Sequence, residues 1–237
     1  MPADETMGAT GTVGPMGAAP EARLAAWAAI EPDRLFLWDV RLGQRVTYQE
    51  AARLVAAWRQ ALVRSGVRRG DRVLLCLPNG LNFSLLYLSI LSAGATAVPM
   101  NPDAPDGERA RVAQKANPRL ALVAGDAPWS GSVPVWPLEG AAWAQPQRRR
   151  PRAGAPVPRD SVHGAVLLFT SGTTGDSKGV QLSTGRLAHT ATHIAQHHRL
   201  ERGQVGLSTL PQFHINAQVV GLLATLYAGS TLALDDR

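Results

Sequence analysis

A segment rich in hydroxyl side chains and glycine follows an apolar run, and its residue types suit phosphate binding. From Thr170 to Lys178 the sequence reads Thr-Ser-Gly-Thr-Thr-Gly-Asp-Ser-Lys. Glycines permit a positive φ and bring backbone N–H groups close to an anion, while the hydroxyls add further donors. The segment therefore predicts a phosphate-binding loop. Its candidate ligands are Thr170, Ser171, Gly172, Thr173, Thr174, Gly175 and Lys178.

Lysine usage singles out Lys178 within this loop. Of the 24 basic residues in the chain, Lys115 and Lys178 are the two lysines, and the others are arginines. A compact ammonium can follow a phosphate as its geometry changes, whereas a planar guanidinium is bulky for a tight loop. The alternative is a glycine turn between two strands with a solvated lysine. A P-loop is excluded, because its pattern counted from Gly172 requires glycine where the chain has Ser177.

Histidines offer chemistry at two further places. His189, His193 and His197 recur every four residues on a predicted helix. A rise of about 1.5 Å per residue separates the first from the third by roughly 12 Å, which is too far for one metal ion. We therefore prefer a polar helix face to a metal site. His214 follows an apolar strand, and a buried core histidine is the alternative to a role in substrate binding.

Short apolar strands alternate with helices around these residues. This alternation predicts an α/β fold of largely parallel sheets flanked by helices, in which ligands lie beyond the carboxyl ends of the strands. The loop after Phe169 falls at such an end. Thr47 and Glu50 form a capping box for a helix that stops at Gly66. Strands are predicted at 72–77, 95–98, 120–123, 165–169, 207–209 and 231–234, and the other helices at 21–30, 81–92, 106–116, 184–198 and 217–227.

Length and composition indicate a globular protein. The chain has 237 residues, 45% of them hydrophobic, which is enough for one or two domains with a sizeable core. Its one cysteine, Cys76, permits no internal disulfide and is expected in a buried strand. Because neither a signal peptide nor a membrane span is recognisable, we expect a cytoplasmic protein. The expected parts are a disordered tail at 1–20, a first α/β part at 21–143, a Pro/Arg-rich connection at 144–160, and a part at 161–237 that carries the phosphate loop.

The net charge of +6 raises the question of nucleic-acid binding. The arginine cluster formed by Arg148, Arg149, Arg150, Arg152 and Arg159 lies in a proline-rich stretch without interleaved aromatic residues. Stacking platforms for bases are therefore lacking, and we predict no nucleic-acid partner.

Four segments in order resemble motifs of the adenylate-forming (AMP-binding) superfamily, in its acyl-CoA synthetase-like branch. They are the glycine loop at 167–180, Val-Thr-Tyr-Gln-Glu-Ala at 46–51, the run from Leu91 to Pro102, and Leu-Pro-Gln-Phe-His-Ile-Asn at 210–216. The loop departs from the usual family form in having Ser177 in place of a proline. Four ordered matches are much more specific than one loop.

The resemblance implies a function and its site residues. It implies ATP-dependent activation of a carboxylic acid as an acyl adenylate, followed by transfer to CoA or a carrier-protein thiol, with Mg²⁺ accompanying ATP. The loop residues and Lys178 would hold the β- and γ-phosphates, and His214 would orient the acyl carboxylate. The catalytic candidates are therefore Lys178 and His214. Peptide synthetases usually have, where this chain has His214, an aspartate that pairs the ammonium of an amino acid, so the resemblance favours an acid without an α-amine.

The resemblance covers only about half of such an enzyme. The family's adenine and ribose segments and its mobile C-terminal domain have no counterpart, so the fold is expected to be an incomplete large N-terminal domain. We expect a split or truncated enzyme, completed by a second polypeptide or prone to self-association, and silent on its own. The alternative is a non-catalytic nucleotide-binding or interaction module.

Overall fold

The secondary structure comprises six α-helices, one π-helical segment and ten strands within the described residues. The computed structural model describes residues 18–125, 133–140, 165–170 and 178–235, together with Trp129 and Pro146. The helices are α1 (Pro20–Ile30), α2 (Tyr48–Arg64), α3 (Leu81–Ser92), α4 (Asp106–Ala116), α5 (Thr184–His197), the π-helical segment (Ala217–Leu223) and α6 (Ala224–Ala228). The strands are β1 (Leu35–Asp39), β2 (Gln44–Thr47), β3 (Arg72–Cys76), β4 (Thr96–Pro99), β5 (Leu120–Ala124), β6 (Val135–Leu138), β7 (Ala165–Thr170), β8 (Lys178–Ser183), β9 (Val205–Ser208) and β10 (Thr231–Leu234).

The larger sheet has six strands in the order β6-β5-β3-β4-β7-β8. All neighbouring strands in it are parallel except β7 and β8, which are antiparallel. The central strands β3 and β4 are almost wholly buried, as expected for parallel strands covered on both faces. The carboxyl ends of β3, β4, β5 and β7 consequently meet at one edge of the sheet.

The smaller sheet has four strands in the order β2-β1-β10-β9. Strands β1, β10 and β9 are parallel, and β2 returns antiparallel to β1. Each sheet combines strands from before and after the predicted connection at 144–160, because β10 pairs with β1 and β7 pairs with β4. Apart from Pro146 that connection, with its arginine cluster, lies outside the described residues, as do residues 1–17 of the predicted tail.

Helix α3 lies between the two sheets and contributes much of the core. It contacts β1 of the smaller sheet and β3 and β4 of the larger one. Nearly every residue from Leu81 to Leu91 is buried, so this helix is apolar on all sides, as a central helix must be. Among the residues that the structure describes, the largest fully buried side chains include Trp27, Trp58, Trp136, Tyr48 and Tyr87.

Most predicted elements are confirmed, with several corrections. The boundaries of α3, α4 and β10 are as predicted, and the capping box is present, with Thr47 Oγ1 accepting from the Glu50 N–H at 3.2 Å. Strands β1, β2, β6 and β8 were not predicted. Strand β9 begins two residues before the predicted strand, and the helix predicted at 217–227 begins as a π-helix, which sequence periodicity does not separate from an α-helix. Cys76 is buried in β3, as expected.

None of the helices in the described ranges is both long and apolar enough to cross a membrane.

Candidate functional site

A cavity of about 500 Å³ lies at the carboxyl ends of β4 and β7. Ligands of parallel sheets bind at this edge, because the loops that follow the strands converge there. Strand β7 and the turn before the π-helical segment both border the cavity, so it joins the two regions that the sequence singled out. Its lining residues are Pro99, Met100, Asn101, Ala104, Glu108, Val112, Leu168, Phe169, Phe213, His214 and Ile215.

The β7–β8 hairpin forms the first side of this site. Thr170 at the end of β7 pairs with Lys178 at the start of β8, so Lys178 begins a strand where the sequence predicted a loop residue. Lys178 is exposed. The predicted phosphate loop joins two antiparallel strands, a topology that it shares with the alternative of a simple glycine turn. The loop residues Ser171, Gly172, Thr173, Thr174 and Gly175, and the side chain of Thr170, lie outside the described residues.

The turn Pro211–His214 forms the second side. The His214 N–H donates to the Pro211 carbonyl at 3.0 Å, and the His214 carbonyl accepts from the Gln218 N–H at 3.3 Å. The imidazole lies against the Phe213 ring, with centroids 4.3 Å apart and planes tilted by 48°. His214 is exposed and borders the cavity, so the alternative of a buried core histidine is wrong.

The connection after β4 also lines the cavity, through Met100, Asn101 and Ala104, and its first part belongs to the motif from Leu91 to Pro102. Arg109 on α4 is 7% exposed, donates to the Pro102 carbonyl at 3.1 Å and pairs with Asp106. The buried Cys76 thiol lies 3.9 Å from the Asn101 carbonyl. Burial raises the pKa of Cys76 to about 11, so the thiol is protonated at neutral pH and is not a nucleophile there.

The histidines of α5 lie apart from this cavity. His189, His193 and His197 are exposed along one helix, and the first two rings have centroids 4.3 Å apart. This arrangement is the polar helix face that the spacing predicted. Within the described residues, no group of three or more His, Cys, Asp or Glu side chains is placed to hold a metal ion.

Phe169, Phe213 and Gln212 also belong to the site, although the sequence analysis did not predict a function for them. Phe169 and Phe213 face the cavity from its two sides, and Gln212 anchors the His214 turn to a distant loop. Both phenylalanines lie within the recognised motifs, but nothing in the sequence distinguishes them from apolar residues of the core. No local pattern marks Gln212, because its partners lie far away in the chain.

The chain belongs to the family of AMP-binding enzymes, which it matches over residues 24–237. This match confirms the resemblance to adenylate-forming enzymes that the four motifs carry.

Relatives with assigned functions include two CoA ligases. The chain is 30% identical to the sulfoacetate–CoA ligase of Cupriavidus necator, covering 91% of this chain and 45% of that protein. It is 34% identical to 4-coumarate–CoA ligase-like 8 of Arabidopsis thaliana, covering 73% of this chain and 34% of the relative. The chain therefore spans less than half of the length of these curated relatives. The alternative of a non-catalytic module finds no support among them.

Solved structures share the fold. The O-succinylbenzoate coenzyme A synthetase of Bacillus subtilis, solved in complex with AMP, superposes with a TM-score of 0.76 at 23% identity. The alignment covers 91% of this chain and 55% of that one. It confirms the predicted α/β fold, which corresponds to part of an adenylate-forming enzyme.

Proposed function

We propose that this chain supplies the phosphate side and the acid side of an acid–thiol ligase that works through an acyl adenylate. The observation that supports this most strongly is the shared cavity, where the end of β7 and the Pro211–His214 turn meet at the carboxyl edge of a parallel sheet. Both segments carry motifs of a family whose relatives named above are CoA ligases.

In the first step of the proposed reaction, a carboxylate oxygen of the acid attacks the α-phosphorus of ATP. A new P–O bond forms, the bond to the leaving pyrophosphate breaks, and an acyl adenylate results. Two anions approach each other and the leaving group gathers charge, so fixed N–H donors, hydroxyls and a cation lower the barrier. Residues 170–175 and Lys178 are proposed to hold the β- and γ-phosphates. Mg²⁺ carried by ATP would neutralise part of the same charge.

In the second step, a thiol sulfur attacks the acyl carbonyl carbon and AMP leaves. The names of the relatives favour CoA as the acceptor, and a carrier-protein thiol is the alternative with the same chemistry. A cytoplasmic location, where ATP and CoA are both present, is part of this proposal.

The proposed substrate is a carboxylic acid without an α-amine. His214 borders the cavity. The motif resemblance aligns it with the position at which peptide synthetases usually have an aspartate that pairs an ammonium. An imidazole carries no negative charge and cannot be a counter-ion for an ammonium, and burying an unpaired ammonium costs about 2–5 kcal/mol. His214 is proposed to orient the acid's carboxylate or to shape its pocket.

The proposed activity belongs to a complete assembly, in which this chain is joined to, or co-expressed with, the remaining part of a ligase of this family. This requirement rests on coverage of less than half of the curated relatives. ATP–pyrophosphate exchange tests the proposal. We expect exchange that depends on added acid in the complete assembly and none with the chain alone. Absence of acid-dependent exchange in the complete assembly across aliphatic and aryl acids would refute it.

A further inference from the structure

Gln212 is a buried polar residue whose side chain and backbone are both tied to other segments. The residue as a whole is only 2% exposed. Its Oε1 accepts from the Gly80 N–H at 2.6 Å, and its Nε2 donates to Ser84 Oγ at 2.6 Å. Its backbone N–H donates to Asn79 Oδ1 at 2.6 Å, and its carbonyl accepts from Gln218 Nε2 at 3.0 Å. A buried amide is tolerated because it is bonded in this way.

Three of these partners lie close together in the sequence, 128 to 133 positions before Gln212. Asn79 and Gly80 form the connection from β3 to α3, and Ser84 lies in the first turn of α3. Asn79 Nδ2 also donates to the Leu210 carbonyl at 3.2 Å, which gives the connection a second bond to the segment before the turn. Because α3 lies between the two sheets, the bonds join the turn to the core.

The same bonds determine where His214 lies. Gln212 is the second residue of the turn that the His214 N–H closes on the Pro211 carbonyl. Phe213 and His214 follow it directly and border the cavity of about 500 Å³. Phe213 also lines a smaller cavity of about 210 Å³, together with Asn79. Fixing Gln212 therefore fixes both rings relative to the end of β7.

We propose that Gln212 is a positioning residue for acid binding, acting through the placement of His214 and Phe213. This inference rests on the proposed function. A catalytic group must be held close to its productive geometry by neighbours that are themselves locked. Loss of the Gln212 side-chain bonds would release the turn from Gly80 and Ser84, whereas the β7–β8 hairpin makes neither of these bonds. Acid binding should therefore weaken more than ATP binding.

Two buried serines of α3 provide a matched pair for the test. Ser84 and Ser89 are both fully buried, but only Ser84 bonds Gln212, since Ser89 Oγ donates to the Leu85 carbonyl within the helix. The variants Gln212→Leu, Ser84→Ala and Ser89→Ala each remove one buried polar group. Removal of a buried hydroxyl is common to the two serine variants, whereas loss of a bond to Gln212 is confined to Ser84→Ala.

The first measurement is acid-dependent pyrophosphate exchange in the complete assembly. For Gln212→Leu and Ser84→Ala we expect the KM for the acid to rise about tenfold, with the KM for ATP within about twofold of the parent. Ser89→Ala should leave both values at the parent level. Equal KM values for the acid in Ser84→Ala and Ser89→Ala, or equal rises in both KM values, would overturn the proposal.

The second measurement needs no activity and uses the chain itself. Amide hydrogen exchange at Gly80 should be about tenfold faster in Gln212→Leu, because that variant removes the acceptor of the Gly80 N–H. Exchange at His214 should be faster in both Gln212→Leu and Ser84→Ala, because opening of the turn then breaks fewer hydrogen bonds. Ser89→Ala should not change it. Unchanged exchange at both amides would overturn the positioning role. If exchange changes as expected but the unsubstituted assembly lacks activity, the proposed function fails while the anchoring of the turn stands.

Discussion

The two segments that border the cavity, the β7–β8 hairpin and the Pro211–His214 turn, differ in how they are attached to the rest of the protein. Residues 178–180 at the start of β8 are exposed, and β8 is one of the two edge strands of the larger sheet in the described residues. The turn instead contains the buried Gln212, which bonds the β3–α3 connection. A substitution in the hairpin should therefore change chemistry with little effect on folding, whereas a substitution at the turn's anchors should change both.

The two attachments suit two kinds of functional side chain, one that must move and one that must be held in place. Lys178 has a long flexible side chain on an edge strand, which suits a cation that must follow phosphates as they move. His214 has a short, planar side chain whose direction depends on the backbone, and that backbone is held by bonds to the core. The expected effects of substitution, from largest to smallest, test this contrast.

The largest effect is expected for Lys178→Ala in the complete assembly. Loss of one charged contact to a developing phosphate charge commonly costs about 2–4 kcal/mol of transition-state stabilisation, which is roughly 30- to 1000-fold in rate. Pyrophosphate exchange at saturating ATP measures it, and urea unfolding of the chain should change by less than about 0.5 kcal/mol. The matched control is Lys115→Ala, the other lysine, which is also exposed. Equal activity of Lys178→Ala and parent would remove the hairpin from the mechanism.

At the turn, His214→Asp is expected to weaken turnover of the native acid. It places a carboxylate near the carboxylate of the substrate, and two like charges about 4 Å apart near an exposed site repel by about 1–2 kcal/mol, or roughly tenfold in kcat/KM. His193→Asp, at an exposed position on α5 away from the cavity, is the control. Steady-state kinetics at two salt concentrations check the charge effect, because repulsion must weaken as salt rises. A variant as active as its parent contradicts this role of His214.

A third effect, on stability, is expected at Gly80, which donates to Gln212. Its φ is 134°, in a region that favours glycine, and a Cβ there would lie 3.2 Å from Asp39 Oδ2. Gly80→Ala should therefore lower the free energy of unfolding by about 1 kcal/mol, the lower end of the usual cost of a strained backbone. Gly107→Ala in α4, where a Cβ meets nothing within 4 Å, should be neutral or stabilising by up to about 1 kcal/mol. Urea unfolding of both variants decides, and equal effects would show that the turn's anchor is not strained.

The smallest effect concerns the buried Cys76 thiol, which contacts the carbonyl of the cavity residue Asn101. Because burial raises the pKa of Cys76 to about 11, only about one molecule in a thousand carries the thiolate at pH 8, and alkylation should be slow until the protein unfolds. The neutral thiol is favoured by the fold, so its contribution to stability is complete below about pH 8.5 and is lost as the pH rises toward 11. The rate of iodoacetamide labelling, with and without urea, measures the reactivity of the thiol in the folded and unfolded chain. Rapid labelling of the folded chain at pH 8 would contradict it.

Local patterns predict much of this fold because the central strands are short apolar runs between clear helix signals. The capping box at Thr47 and the apolar helix α3 are examples of such signals. Strand β6 was missed because it contains Pro137, which is tolerated only because β6 is an edge strand. Strand β8 was missed because its first residues belong to the glycine-rich segment. Whether these two segments form strands depends on the strands beside them, and a local sequence pattern does not contain that information.

The candidate site shows the same limit. Motif spacing pointed to the β7 end and to His214, and the cavity brings those two regions together. Gln212 could not be recognised, because Gly80 lies 132 positions away and no periodicity links them. The exposure of His214 was likewise unpredictable, since a polar residue after an apolar strand can either cap a buried turn or face a cleft.

Identification of the products of the complete assembly tests the central claim most directly. With ATP, a fatty or aryl acid and no thiol, mass spectrometry should find the acyl adenylate and pyrophosphate, and addition of CoA should convert the adenylate into an acyl thioester and AMP. The α-amino analogue of the same acid should give much less of both acyl products. Formation of ADP and phosphate in place of AMP and pyrophosphate, or a preference for the α-amino acid, would contradict the account.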